Sequence, residues 1–297
     1  MSDYWHDPRF GVFADPAVES AQHVVRVAEV ADRAGLDLIG VQDHPYQRRF
    51  LDAFALMTTL LARTESIRVF PDVACLPLRP PAVLAKTAAT LDILSGGRFE
   101  LGLGAGGFWD AIEAIGGPRR APREAANALV EATDVIRAMW SGERSVRVDG
   151  EIYRLSGVHP GPAPQHGVAI WWGVLGPRML AELGRRADGW VPSASYFPPE
   201  KLADAHARID DAAVAAGREP SQIRRIYNVF GAITGGTSAG FLNGPVQQWV
   251  DELTELVVDG GMDTFVFGTE GDDLDTIRTF ADDVAPAVRA AVASERG

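Results

Sequence analysis

Eight short apolar runs, each separated from the next by a stretch of helical spacing, predict a (β/α)₈ barrel of the α/β class with insertion segments. Two further observations agree with it. Prolines and glycines stand where the helices of such a barrel would start and stop, and 297 residues with 46% apolar content suit one barrel-sized core.

The strand candidates are residues 10–13, 38–42, 67–75, 99–103, 169–173, 189–192, 226–230 and 264–268. Between them, Pro81, Pro177 and Pro245 occupy first-helical positions, and Gly35, Gly96 and Gly260 occupy cap positions. Leu129, Thr133, Ile136 and Trp140 fall on one helical face, as do Val246, Trp249, Leu253 and Leu256, so both tryptophans read as core. Residues 145–167 break the alternation. There Val146, Val148, Ile152 and Leu155 flank Asp149-Gly150 as a hairpin with a tight turn, inserted between the fourth helix and the fifth strand. A glycine-rich stretch over 231–243 follows the seventh strand and reads as a lid. No low-complexity linker divides the chain, so residues 1–297 are expected to form a single domain.

A net charge of -12 argues against nucleic acid or an anionic membrane as a partner. The amino terminus carries no signal-peptide pattern, and no apolar run is long enough to span a bilayer. Cys75 is the sole cysteine, which excludes an internal disulfide and a cysteine-based metal site. A cytoplasmic enzyme is the expectation. The histidines other than His44 lie on helices, the insertion or the terminus without ligand spacing, so a metallohydrolase is not expected.

Barrel chemistry is carried by the C-terminal ends of the strands. After the fourth strand, glycines 102, 104 and 107 match the Gly-x-Gly-x-x-Gly pattern. The following helix is cut short by Gly116-Gly117-Pro118, however, and no acidic residue ends a second strand at the required distance, so a dinucleotide fingerprint is rejected. What remains is the bare backbone of Gly104-Ala105-Gly106-Gly107, able to approach a flat or anionic ligand. After the fifth strand, Gly173-Val174-Leu175-Gly176-Pro177-Arg178 opens a helix whose free N–H groups suit an anion, or is simply a good helix start. After the second strand, Asp43-His44 is the one obvious acid/base pair. It reads either as a histidine whose carboxylate neighbour favours the charged form, or as a turn before Pro45.

The ordered motifs together resemble the bacterial luciferase-like monooxygenase family, F420- and flavin-dependent oxidoreductase branch. They run from Gly35-Leu36-Asp37 and Gln42-Asp43-His44-Pro45-Tyr46 through 78–86 and 91–99 into the glycine loop. They resume at Ile170-Trp171-Trp172-Gly173, Gly176-Pro177-Arg178, Ala187-Asp188-Gly189-Trp190 and Asp263-Thr264-Phe265-Val266. The resemblance implies a TIM-type barrel, often a homodimer, holding F420 or FMN at its C-terminal mouth. It maps the bulge that backs the ring, commonly with a non-prolyl cis peptide, onto Asp72-Val73-Ala74-Cys75, and the phosphate site onto the glycine loop and the Gly176-Pro177 helix start. In F420-dependent dehydrogenases of the family, the counterpart of His44 handles a substrate proton and that of Asp43 approaches the deazaflavin. Their glutamate in the glycine loop and tryptophan after the histidine are replaced here by Gly107 and Arg48, which tells against a sugar-phosphate substrate. The expected function is thus hydride transfer between F420, or FMN as the alternative, and a small organic substrate, with monooxygenation as a variant of it. A non-catalytic flavin-binding protein and a barrel isomerase acting on a phosphorylated metabolite are the rivals.

Overall fold

In a computed structural model of the protein, which describes residues 3–268 and 273–297, the expected strands all form. In chain order the strands are β1 (Arg9–Ala14), β2 (Leu38–Val41), β3 (Arg68–Pro71), β4 (Ala74–Cys75), β5 (Leu101–Gly104), β6 (Val146–Asp149), β7 (Arg154–Val158), β8 (Ile170–Trp172), β9 (Gly189–Trp190), β10 (Arg224–Phe230), β11 (Ala232–Ile233), β12 (Asn243–Gly244) and β13 (Thr264–Gly268). The helices are α1 (Ala21–Arg33), α2 (Ala53–Arg63), α3 (Pro81–Ser95), α4 (Trp109–Ala114), α5 (Pro122–Trp140), α6 (Pro177–Arg186), α7 (Leu202–Ala215), α8 (Val246–Val258), α9 (Leu274–Thr279) and α10 (Ala285–Arg296).

The main sheet runs β3-β2-β1-β13-β10-β9-β8-β5-β4 with parallel pairing throughout. Its two ends are halves of one stave: β3 pairs with β2, β4 pairs with β5, and a parallel bridge from Val69 to Phe99 closes the ring. The cylinder therefore has eight staves, the third interrupted at Asp72-Val73, whose peptide bond is cis, at the position the resemblance implied. The barrel interior is packed by Leu38, Phe70, Trp171, Val191, Ile226 and Val266, while the larger core lies between strands and helices.

Local chemistry explains the helix bounds. Asp52 caps α2 by accepting from Ala55 N at 3.0 Å, and Pro81 and Pro177 are the first residues of α3 and α6. Gly96 ends α3 in the left-handed conformation (φ 70°) that a side chain would resist. After α8 the left-handed residue is Gly261 rather than Gly260, and Pro245 caps that helix instead of opening it. Trp249 is fully buried against Phe267, their ring centroids 4.9 Å apart, whereas Trp140 is half-buried with its indole N–H on Ala85 O. The insertion is an antiparallel β6–β7 hairpin, fastened to α5 where Glu131 accepts from the backbone N–H groups of Glu151, Ile152 and Tyr153.

The N-terminal end of the barrel has a recurrent device. Carboxylates accept the backbone N–H groups at the foot of several staves: Asp37 from Phe10 (2.7 Å), Asp32 from Ile67 (2.8 Å), Glu100 from Ala169 (2.8 Å), Asp188 from Ile170 (2.9 Å) and Asp263 from Arg225 (2.9 Å). Each satisfies a donor that has no strand partner of its own, with the added strength of a charged acceptor. Among the described residues no helix is long and apolar enough to cross a membrane.

Candidate active site

At the C-terminal mouth, a cavity of about 150 Å³ is lined by Asp43, His44, Tyr46, Val73, Ala74, Cys75, Gly104, Ala105, Gly106, Gly107, Phe108 and Gly173. The ends of β2, β4, β5 and β8 thus converge on one space. Of the sequence-predicted residues, Asp72, Val174, Leu175, Gly176, Pro177 and Arg178 are not in its wall. Asp72 lies beneath it in the barrel. Val174 is buried, with its carbonyl accepting from Trp190 Nε1 at 2.8 Å. Leu175 is exposed, Gly176 and Pro177 form the exposed start of α6, and Arg178 donates to Asn127 Oδ1 at 2.7 Å.

Val73 is the centre of the arrangement. A Cβ placed on Gly104 or Gly173 would stand 2.7 Å or 3.0 Å from a Val73 methyl, and one on Gly102 would stand 2.1 Å from Pro71 O and 3.1 Å from a Val73 methyl. Gly104 and Gly173 line the cavity and, with Gly102, also leave room for the bulge. Gly107 differs: among the described residues nothing lies within 4 Å of where its Cβ would be. Gly106 adopts φ 96°, which a side chain would resist.

Asp43 is committed to structure. Its Oδ2 accepts from Cys75 N at 2.9 Å and Arg79 Nε at 3.1 Å, and its Oδ1 accepts from Arg79 Nη2 at 2.7 Å. Arg79 bonds Asp52 as well, at 2.6 Å. The carboxylate so anchors the second half of the broken stave to the end of β2. His44 is consequently not held in its charged form, contrary to the sequence expectation. Burial pushes its pKa below the ordinary histidine value, and the charge of Asp43, already matched by Arg79, does not reverse this. His44 Nδ1 is hydrogen-bonded to the Tyr46 hydroxyl, and its ring packs edge-on against Phe108 with centroids 5.5 Å apart.

Asp72 is buried inside the barrel, where Gly40 leaves room for it: a Cβ on Gly40 would stand 2.9 Å from Asp72 Oδ2. Oδ1 accepts from Asn228 Nδ2 at 3.1 Å, and that amide also donates to Ser193 Oγ at 3.2 Å. Among the described residues neither Asp72 Oδ2 nor Asn228 Oδ1 has a partner. Burial raises the Asp72 carboxyl to a pKa of about 7, the bond from Asn228 offsetting only part of the effect.

Three contributors were missed from sequence: Tyr46 as the partner of His44, Arg79 as the partner of Asp43, and Asn228 as the partner of Asp72. Only Asn228 carried a signal, since it is the polar residue on the strand face it shares with Ile226 and Phe230. A larger cavity of about 690 Å³ opens at the other end of the barrel, but three of the four arginines that line it are paired, Arg289 with Asp37, Arg296 with Asp3 and Arg224 with Asp263. Among the described residues no cluster suits a metal ion.

Residues 4–238 match the family model described as luciferase-like monooxygenase. The chain belongs to this family. Among curated luciferase-like relatives, an F420-dependent glucose-6-phosphate dehydrogenase from Nocardia farcinica is 32% identical over 75% of this chain and 68% of its own length. A 5,10-methylenetetrahydromethanopterin reductase from Archaeoglobus fulgidus is 31% identical over 64% and 54%. An F420-dependent hydroxymycolic acid dehydrogenase from Mycobacterium tuberculosis is 32% identical over 71% and 59%, so the match spans little more than half of some relatives. In fold, the luciferase-like barrel superposes on an F420-dependent secondary alcohol dehydrogenase with a TM-score of 0.84 at 20% identity, covering 95% of this chain and 99% of that one. A monooxygenase from Streptomyces bottropensis gives 0.78 at 21%, covering 94% and 99%.

Proposed function

We propose that this luciferase-like protein is an oxidoreductase that uses F420, with FMN as the alternative, to move hydride to or from a small organic substrate while His44 transfers the proton. The observation that carries the reading is the convergence of His44, the Val73 bulge and the bare backbone of residues 104–107 on one cavity. A flat ring fits such a wall. It is apolar at Val73, open at Gly107, and carries no lysine or arginine side chain among the described residues. The cofactor supplies the two-electron chemistry. The chain's own part is to seat the ring on the bulge, hold the bulge through Asp43 and the glycines, and present a neutral imidazole to the substrate.

The substrate class that fits is a neutral, apolar alcohol, carbonyl compound or oxidisable ring, because Tyr46 and Phe108 flank His44 and no cation lines the cavity to receive a phosphate. In this reading the exposed start of α6, with Arg178, takes the cofactor's phosphate, and residues 231–243, carrying the partly exposed Phe241, serve as a lid. The working form is a homodimer in the cytoplasm, and the buried single cysteine is consistent with a reducing compartment.

Replacing His44 by Ala is expected to lower turnover by about 10²–10⁴ while F420 affinity, read by fluorescence titration, stays nearly intact. Unchanged turnover would remove His44 from the mechanism. Tight binding of FMN with none of F420 would reassign the cofactor.

A further inference from the structure

We propose that Tyr46 is the positioning residue for His44: its hydroxyl donates to Nδ1, fixes the imidazole proton on Nε2, and relays protons between the imidazole and solvent. The inference rests on the role proposed for His44. Three rings build the arrangement. Tyr46 bonds Nδ1 and packs edge-on against His44 at 5.3 Å, Phe108 lies 5.5 Å from His44, and Phe108 lies 5.9 Å from Tyr46. The carboxylate that sequence would pair with His44 is spent, since every bond recorded for Asp43 goes to Cys75 N or Arg79. With Nδ1 taken by Tyr46, Nε2 is the nitrogen left for a substrate.

The titratable and charged groups around the pair are Asp43 at the end of β2, Cys75 on β4 and Arg79 beyond it. Burial, reinforced by Cys75 and Asp43, pushes the Tyr46 phenol up, so it keeps its proton at neutral pH, and burial holds His44 neutral. A neutral phenol facing a neutral imidazole donates to the bare nitrogen, which leaves the ring proton on the other one. A hydroxyl, unlike a carboxylate, can both donate and accept, so one residue serves both directions. A carbonyl reduction, for which the bound reduced cofactor would supply hydride to the carbon, needs one proton at the substrate oxygen, and Nε2 gives it. Nδ1 takes the Tyr46 proton, and Tyr46 recovers one from water. Alcohol oxidation runs the same transfers in reverse from the Nδ1–H tautomer, in which the Tyr46 hydroxyl accepts and Nε2 is bare.

The test needs no substrate at first. In cofactor-free protein labelled with ¹⁵N-histidine, the His44 resonances, assigned with His44→Asn, should show the Nε2–H tautomer at neutral pH. Tyr46→Phe, which keeps the ring against Phe108, should mix the tautomers and move the His44 titration midpoint, while the remaining histidine signals stay in place and report an intact fold. With loaded enzyme, the same variant should lower kcat by up to about tenfold, the worth of one hydrogen bond, with KM and F420 affinity unchanged and the pH profile displaced. An Nδ1–H tautomer in the wild type, or a tautomer and pH profile unmoved in Tyr46→Phe, overturns the inference even if His44→Ala abolishes turnover. Full turnover in His44→Ala overturns instead the reading on which it rests.

Discussion

The two ends of this barrel are built on opposite rules. At the N-terminal end, carboxylates receive the backbone N–H groups of the incoming strands, and arginines answer the carboxylates: Arg289 on Asp37, Arg137 on Asp188, Arg68 on Glu100. At the C-terminal end, a carboxyl and an amide are buried with one oxygen each unpartnered, a cis peptide interrupts a stave, and Phe108, Tyr196 and Phe230 stand exposed. Buried polar groups are costly unless satisfied. The difference teaches that carboxylates cap the backbone at one end, whereas the other leaves bare backbone and buried polar atoms around a cavity.

The largest effect is expected where the mouth is most tightly built. Gly102→Ala drives a Cβ to 2.1 Å from a backbone carbonyl that cannot swing aside, and should destabilise the protein by about 1–3 kcal/mol or more. Gly107→Ala, at the same mouth but in open space, should stay within about 0.5 kcal/mol of wild type. Urea melts of the two variants check this, and equal losses would mean that the bulge is not seated as described.

Next in size is a pH effect inside the barrel. The folded Asp72 carboxyl titrates at about 7, well above the free-carboxyl value of roughly 3.9, so the fold prefers it protonated. The unfolded chain then binds fewer protons than the native one between those pH values, and stability falls as pH rises through the window, by a few kcal/mol in all. Asp72→Asn should abolish that decline. Urea midpoints near pH 4 and pH 8 measure it, and an unchanged slope in the variant would show that Asp72 stays ionised.

The smallest effect belongs to the other end and runs in the same direction with pH, although here the charged form is the one favoured. His166 is bonded to Asp92 Oδ1 through Nδ1 and to Glu100 at 3.3 Å through Nε2, and the Glu100 bond leads in raising its pKa. A raised histidine stabilises fully below its unfolded value and loses that contribution as pH climbs through the folded value. His166→Gln should therefore cost stability at pH 6 and little at pH 9. The cost is modest because the imidazole is partly exposed. A loss of equal size at both pH values would assign His166 a packing role instead.

How much of this was legible in sequence follows from the range of the interactions. Strand runs and proline helix starts are local, and they placed all eight staves and their order. The stretch 72–75, given only by resemblance, does carry the break. Asp43-His44 was found as a pair, but its meaning was not, because the partner of Asp43 is Arg79 and that of His44 is Tyr46, and no periodicity predicts which side chain meets which. The same limit hid the second role of Gly104 and Gly173, which line the cavity and also make room for Val73. A glycine declares that space is needed, and whether a ligand or a neighbouring valine fills it is decided by strand register.

Residues of β5 and of the end of β8 meet at a single methyl-bearing side chain in the break before β4, with consequences for how this site can vary. Because Gly102, Gly104 and Gly173 yield their volume to Val73, the depth of the mouth is set by one residue while the glycines beside it stay as they are. Trimming it to alanine deepens the floor, and lengthening it to isoleucine raises the floor against whatever lies above. A barrel arranged in this way carries an adjustable gauge at its mouth, and resetting its depth requires neither new loops nor a new strand.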